Sequence, residues 1–273
     1  GGLAKLKGSQ LSKSLKEPSN HTWNLEYFNS PLINNIRRLY IDTQDKIWIG
    51  SLTGLNVVKN SSSDNFEIAS VDELVSKKRA VFSIEEDHNG SMWIGYWGEG
   101  LVKLNKNSNY FDVEEYQYSP ENEFSLSNNF VRDILEDSHK NIWVGTVSGL
   151  NRIKSTTKDK PKFERFLKDD QDKNSLSNNH ILDIFQSKSG KIYVGTFGGG
   201  LNEIEVLDND ELKFEHYKIQ QGLPSNVVYQ IAEDIEGNIW MMHIREISKL
   251  DIQTGKISYY DRHNGFQISE FKI

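Results

Sequence analysis

Apolar residues come in short clusters separated by runs of Gly, Asn, Asp, Ser and Lys, and one cluster returns five times. Its fullest form is Asn141-Ile142-Trp143-Val144-Gly145-Thr146-Val147-Ser148-Gly149-Leu150-Asn151. Lys46-Ile47-Trp48-Ile49-Gly50 runs on to Gly54-Leu55-Asn56, and Ser91-Met92-Trp93-Ile94-Gly95 runs on to Gly100-Leu101. Lys191-Ile192-Tyr193-Val194-Gly195-Thr196 runs on to Gly200-Leu201-Asn202, while Asn238-Ile239-Trp240-Met241-Met242 has lost its glycines. The anchoring aromatics stand at 48, 93, 143, 193 and 240, in steps of 45, 50, 50 and 47 residues. A period of this size marks a repeat architecture, in which each unit buries its apolar face against its neighbours.

Each repeat predicts four short strands. In the third these are Phe130 to Leu135, Ile142 to Gly145, Leu150 to Ile153 and Phe163 to Phe166, separated by polar turns such as Glu136 to Asn141. Runs of this length bounded by Gly, Asn, Asp and Ser predict an antiparallel meander. Twelve residues before each anchor stand Ile36, Val81, Val131, Ile181 and Val228, and nine before stand Leu39, Ile84, Ile134, Ile184 and Ile231. An offset of three on a period-2 strand puts the two sets on opposite faces. A first strand that is apolar on both faces needs neighbours on both sides, which predicts sheets stacked about an axis.

The expected fold is therefore all-β: a β-propeller segment of four-stranded antiparallel blades. One segment over 1–273 is expected, with blades near 31–70, 79–119, 128–168, 178–219 and 225–262 and partial blades at 1–30 and 263–273. Gly1-Gly2-Leu3 matches the second half of the repeat phrase, and Gly265-Phe266 matches Gly222-Leu223, so the chain is expected to start and stop in mid-repeat. A polar loop is expected from Lys7 to Asn20 and an aromatic strand over Thr22 to Phe28. Ser70 and Glu73 have the spacing of a capping box, which predicts a short surface helix.

Composition narrows the chemistry. The net charge of -7 argues against a nucleic-acid partner for this segment, because such binders carry a basic face. The chain has no Cys, which removes disulfides, zinc-thiolate sites and Cys nucleophiles. No apolar run approaches the ~18 residues of a membrane span, so any membrane link is expected through the parent protein.

Asp137 to Asn151, Tyr193 to Asn202, Gly222 to Asn226 and Asp234 to Trp240 resemble the two-component regulator propeller repeat. Tyr193 stands where that repeat has Trp, and the fifth copy lacks the Gly-Thr and Gly-Gly elements. The resemblance implies the periplasmic sensor region of a hybrid two-component histidine kinase of Bacteroidetes type. Such sensors are built from seven-bladed propellers and are followed by signalling domains. Many respond to oligosaccharides. No kinase motif is present in this segment, so no catalysis is expected of it.

Ligands of propellers bind at a channel mouth, where connections between second and third strands gather. Tyr96, Trp97 and Glu99 occupy one such connection, with Phe197 equivalent in the fourth repeat and His243 and Arg245 in the fifth. Arg37 and Arg132 stand eleven before their anchors, with His180 close by in sequence to the fourth first strand. Aromatic rings cover pyranose faces, and Arg and His bond hydroxyls and carboxylates. The candidate ligand-binding set is Arg37, Tyr96, Trp97, Arg132, His180, Phe197, His243 and Arg245, with no metal and no cofactor. Each also has a structural reading: arginines pairing with carboxylates such as Asp133, and Tyr96 and Trp97 filling space between blades. Two alternatives stay open. One is a propeller-fold lyase or glycoside-processing enzyme using His180 or His243. The other is an interaction scaffold without a small ligand, with exposed strand edges favouring a homodimer.

The anchor aromatic is expected to fill the wedge between blades. Trp143→Ala should then destabilise by roughly 3–5 kcal/mol in a denaturant titration, the cost of emptying a buried aromatic site. A loss under about 1 kcal/mol would show that the ring is not buried.

Overall fold

The computed structural model describes residues 3–5, 26–28, 31–33, 35–58, 67–71, 79–106, 111–155, 160–207 and 210–264. It divides into two compact units, Gly1–Val81 and Phe82–Ile273. The expected helix after Ser70, the loop over Lys7 to Asn20 and the strand after Gly265 lie outside the described residues.

In the first unit, β1 (Leu3–Lys5) pairs antiparallel with β2 (Glu26–Phe28). A 3-10 turn at Pro31–Ile33 then leads into a meander of β3 (Ile36–Ile41), β4 (Ile47–Ser51), β5 (Gly54–Val58) and β6 (Ile68–Ser70). Ile33, Ile49 and Val58 form its buried core, with Ile36, Ile47 and Ile68 packed on it. Leu39 and Ile41 of β3 are exposed.

Four further meanders follow, so the described residues hold five four-stranded antiparallel sheets. The second sheet is β7 (Val81–Glu86), β8 (Met92–Tyr96), β9 (Gly100–Lys106) and β10 (Phe111–Tyr116). The third is β11 (Val131–Glu136), β12 (Ile142–Thr146), β13 (Gly149–Ile153) and β14 (Glu164–Phe166). The fourth is β15 (Ile181–Gln186), β16 (Ile192–Thr196), β17 (Leu201–Val206) and β18 (Leu212–Tyr217). The fifth is β19 (Gln230–Glu233), β20 (Ile239–Met242), β21 (Ile247–Leu250) and β22 (Ile257–Tyr260).

The cores of the second unit lie between sheets. Trp93 and Leu101 of the second sheet pack with Val131, Ile134, Ile142 and Val144 of the third. Trp143 and Leu150 likewise join Ile181, Ile184, Ile192 and Val194, and Tyr193 and Leu201 join Val228, Ile231, Ile239 and Met241. The connection before each first strand adds a leucine to the same wedge: Leu126, Leu176 and Leu223.

One expectation about the faces is corrected. Val131 and Ile134 do not lie on opposite faces. The ladder shifts register between Val131 and Asp133, and again between Ile181 and Asp183. A bulge adds one residue and reverses parity. Both apolar side chains therefore point at the preceding sheet: a Cβ on Gly95 would lie 2.6 Å from Val131 Cγ1 and 3.4 Å from Ile134 Cδ1. Gly145 meets Ile181 and Ile184 in the same way, at 2.5 and 3.3 Å. These glycines are the close-approach points between sheets. The bulge also turns an acid into the interior. Asp133 Oδ2 accepts from Ile184 N at 2.9 Å, and Asp183 Oδ2 accepts from Ile231 N at 2.7 Å.

Each anchor indole is held by the turn before it. Trp48, Trp93, Trp143 and Trp240 donate Nε1–H to Asp42, Asp87, Asp137 and Asp234 at 2.7–2.9 Å. The other oxygen of each Asp accepts two backbone N–H groups of its own turn, as Asp137 Oδ1 does from His139 and Asn141. Burial opposes ionisation of Asp234, yet hydrogen bonds from Trp240 and Asn238 hold its carboxyl well below the usual carboxylate range. A cation lies over each ring: Lys46 over Trp48, Lys103 over Trp93, Arg152 over Trp143 and Lys249 over Trp240, at 5.0–5.5 Å.

The fourth sheet replaces all three partners at once. Ser187 stands for the Asp, Tyr193 for the Trp and Glu203 for the cation across the ladder. Burial and Glu203 push the Tyr193 hydroxyl up, Tyr217 donates to Glu203 at 3.1 Å, and Lys191 pairs with the same carboxylate.

This exchange has a testable consequence. Tyr193→Trp alone introduces an indole N–H with no carboxylate at position 187, and should destabilise by about 1–3 kcal/mol. Adding Ser187→Asp and Glu203→Lys should restore most of the loss. Urea titrations that find the single and triple variants equally weakened would show that the three positions are not coupled.

Candidate functional site

Successive side chains of a strand alternate in direction, and this alternation sorts the candidates. Three residues after each anchor stand Ser51, Tyr96, Thr146, Thr196 and His243, and all five are fully buried. Tyr96 is thus interior, and it is not a mouth residue as its sequence position suggested. Thr146 donates to Gly149 O at 2.9 Å, and Asn151 clamps Ser127 of the incoming connection through Ser127 N and Oγ. Thr196 and Asn202 repeat the arrangement with Gly200 and Ser177. In the fifth sheet His243 and Ser248 occupy these two places. His243 Nδ1 lies 2.8 Å from Val227 O and its Nε2 lies 2.8 Å from Ser248 Oγ.

A carbonyl only accepts, so Nδ1 carries the proton and Nε2 accepts from the serine. Burial holds the His243 pKa below the ordinary histidine value. With both nitrogens engaged inside the sheet, His243 is not placed to meet a ligand or a metal.

One residue further along, four after each anchor, the side chains emerge. Trp97 and Phe197 are exposed, at 36% and 49%. Each makes a bridge with the residue entering the next sheet, Trp97 with Phe130 and Phe197 with Val227. Gly98 N and Gly100 N donate to Asn129 O at 3.0 and 2.9 Å, and Gly198 and Gly200 do the same to Asn226 O. Two sheets are thereby laced together at this end, and the aromatic side chains are left outside the lacing.

The rings gather around one cation. Trp97 stacks on Phe82 at 4.9 Å and meets the edge of Phe130, also at 4.9 Å. The Arg132 guanidinium lies 5.2 Å from the Phe82 ring and 5.7 Å from the Trp97 ring. His180 lies 5.3 Å from Phe197. Burial, with the positive charge of Arg132, holds the His180 pKa below the ordinary value, so its imidazole is neutral near pH 7. The structure thus brings Trp97, Arg132, His180 and Phe197 into one cluster and adds Phe82 and Phe130. Sequence reading missed Phe130 because it stands thirteen residues before its own anchor and reaches the site through the preceding sheet's connection.

Arg37 and Arg245 complete the candidate set. Arg37 is exposed on β3 of the first unit, and Arg245 is exposed in the turn between β20 and β21. Among the described residues no group of three His, Asp or Glu side chains is placed to hold a metal ion. A hollow of about 420 Å³ lies beside β10, lined by Glu114, Tyr116, Phe124, Lys160 and Phe163 among others.

Comparison with known proteins adds four findings. A family model described as Two component regulator propeller matches residues 125–148, 175–198 and 222–243, the segments that lead into the third, fourth and fifth sheets. The chain is 29% identical over 250 residues to Histidine kinase P4 of Formosa agariphila, covering 88% of this chain and 17% of the kinase. Its fold is similar to the extracellular domain of hybrid two component system BT3049 from B. thetaiotaomicron, with a TM-score of 0.70, 24% identity, 89% of this chain and 32% of that one covered. It is also similar to virginiamycin B lyase from Staphylococcus aureus, with a TM-score of 0.64, 13% identity, and 92% and 76% covered. At these identities the two structures show the shared fold alone. The chain spans about a sixth of the length of the kinase it matches.

The buried histidine predicts a pH dependence. The folded state depresses the pKa of His243, so between that value and the ordinary ~6.5 the unfolded chain binds more protons. Its contribution to stability is complete above ~6.5 and is lost as pH falls through the folded value, with a slope of up to about 1.4 kcal/mol per pH unit. Urea titrations from pH 8 to 5 should show this slope, and His243→Asn should flatten it. An unchanged slope in the variant would assign the effect to other groups, His180 and His216 first, since burial lowers both.

Proposed function

Because the chain carries two-component regulator propeller repeats, we propose that it is a ligand-sensing segment of a hybrid two-component signalling protein and that its ligand is an oligosaccharide. The observation that carries this reading is the cluster of exposed rings at one end of the second to fourth sheets. Trp97, Phe130 and Phe197 are not needed to fill a wedge, yet they stand around Arg132 and His180. Flat rings stack on the apolar faces of pyranoses, and a guanidinium and a neutral imidazole bond hydroxyls. Repeat proteins place such surfaces where the repeat itself makes no demand.

The similarity to a histidine kinase and to an extracellular domain supports a place outside the cytoplasm, on a membrane-anchored parent whose further blades and signalling domains receive the signal. In this reading the segment binds its ligand and leaves it unchanged. The engagement of His243 by Val227 and Ser248 speaks against the histidine-based lyase alternative.

A ligand that binds only the folded chain raises stability by about 2.7 kcal/mol at 100 times its Kd. Thermal melting against a panel of neutral and acidic oligosaccharides should therefore find at least one that raises the Tm. Trp97→Ala and Phe197→Ala should lose that shift while melting near the parent temperature in its absence, since both rings are exposed. A panel in which no oligosaccharide raises the Tm, or a shift that survives both substitutions, overturns the reading or its site.

A further inference from the structure

The hollow of about 420 Å³ beside β10 holds two charges that the fold does not pair. Its walls include Glu114 and Tyr116 of β10, Phe124 of the connection into β11, and Lys160, Pro161 and Phe163 ahead of β14. A space of this size lies within the ~300–1,000 Å³ that small-molecule sites occupy.

Glu114 is the first of the charges. In the third sheet the equivalent Glu164 is paired twice, with Arg152 at 2.7 Å and Lys154 at 2.8 Å. In the second sheet Lys103 faces Glu114 across the ladder, yet its ammonium lies 3.6 Å from Asp87 and over the Trp93 ring. The Glu114 carboxylate is held instead by the Asn105 amide and the Tyr116 hydroxyl. Both donors are neutral, so Glu114 keeps its negative charge. That charge adds to burial in pushing the Tyr116 hydroxyl pKa up. Lys160 is the second charge, and among the described residues no carboxylate pairs with it.

The rings complete the site. Phe124 stands where the fourth sheet has Asn174: Phe163 N donates to Phe124 O at 3.0 Å, and Phe214 N donates to Asn174 O at 2.8 Å. The Phe124 side chain is 45% exposed, with Lys162 Nζ 5.1 Å from its ring centroid. Tyr116 and Phe163 meet edge to face at 5.6 Å. An acid, a base and an exposed ring in one hollow are complementary to a ligand that carries an ammonium, a carboxylate and an apolar side chain.

We infer that this hollow is a second ligand site, distinct from the ring cluster, and that it takes a zwitterion of the amino acid or short peptide class. The α-ammonium pairs with Glu114, the α-carboxylate pairs with Lys160, and the apolar side chain rests against Phe124. This site is independent of the ligand bound at the ring cluster.

Calorimetric titration of the whole chain tests this. The probes are phenylalanine, leucine and their di- and tripeptides, each beside its N-acetylated and its C-amidated form. The zwitterion should bind about fivefold more tightly than either blocked form, the worth of one well-placed exposed ion pair. Binding by the free amino acids assigns the ligand to that class, and binding by the peptides alone assigns it to theirs. Glu114→Gln should remove the penalty of N-acetylation, and Lys160→Gln the penalty of C-amidation. Phe124→Asn, which installs the residue of the fourth sheet, should weaken every probe. Unliganded melting temperatures report whether each variant is folded. Equal binding of blocked and unblocked forms by the unaltered chain overturns the charge pairing. Penalties that survive Glu114→Gln and Lys160→Gln overturn the assignment to those two residues. Absence of binding by every probe overturns the site and leaves the oligosaccharide reading standing.

Discussion

A sheet can offer a large ring to its neighbour only if the ring's polar edge is satisfied where it stands. In four of the five sheets the Asp of the turn meets that need. One carboxylate oxygen organises the turn by accepting two of its amides, and the other accepts the indole N–H six residues on. The turn, the second strand and the filler of the wedge are thereby fixed by one side chain. The glycine two residues after the indole then lets the next sheet approach to van der Waals contact, with Gly145 facing Ile181 and Ile184. Burial of the ring and close approach of the sheets are one constraint seen from two sides, since neither holds without the other.

The two ends of the sheets use this constraint differently. At the Asp-turn end, side chains of one sheet tie the turn of the sheet before it. Glu136, Gln186 and Glu233 accept the backbone N–H of His88, Ser138 and Lys188 at 2.8–3.1 Å. At the opposite end the lacing is done by backbone groups, through Asn129 O and Asn226 O and the glycine amides they receive. Where backbone carries the junction, the side chains are released from it. Trp97, Phe130 and Phe197 stand at such released positions, so a site there costs the fold little stability.

Much of this was legible in the chain. The aromatic period located every sheet, and the strands of the third repeat were placed to within a residue or two, because Gly, Asn and Asp punctuate them. Trp97, His180 and Phe197 were legible as candidates because each departs from its equivalents, and Arg132 because it shares with Arg37 a charge where the other repeats carry Phe82, Leu182 and Tyr229. What was hidden depends on geometry that a linear pattern does not carry. The bulge at Val131 and Asp133 reversed the parity of the first strand, so two apolar sets expected on opposite faces share one. The Asp to Trp hydrogen bond was not anticipated, although both residues stand in the repeat phrase, because a spacing of six across a turn has no periodic signature. Tyr96 and Trp97 look alike in sequence, yet alternation along β8 and its exit buries one fully and exposes the other.

The fifth sheet shows how to tell a structural departure from a functional one. Its loss of the Gly-Thr and Gly-Gly elements made His243 conspicuous as a candidate. In the structure His243 and Ser248 take over the bonds that Thr146 and Asn151 make in the third sheet, reaching the incoming connection at Val227 instead of Ser127. The fourth sheet behaves in the same way, where Ser187, Tyr193 and Glu203 depart together: Tyr193 and Glu203 bond each other, and the Ser187 hydroxyl bonds Ser189 and Lys191 O within its own turn. A departure matched by a second departure that restores burial and hydrogen bonding belongs to the scaffold. At the position of Trp97, Val147 and Phe197 the junction is closed each time on an Asn carbonyl, by two glycine amides beside Trp97 and Phe197 and by Gly149 N alone beside Val147, so the exposed side chain itself takes no part in the closing bonds. Variation that packing neither requires nor compensates is where selection for a ligand can act, and it falls on the rings around Arg132.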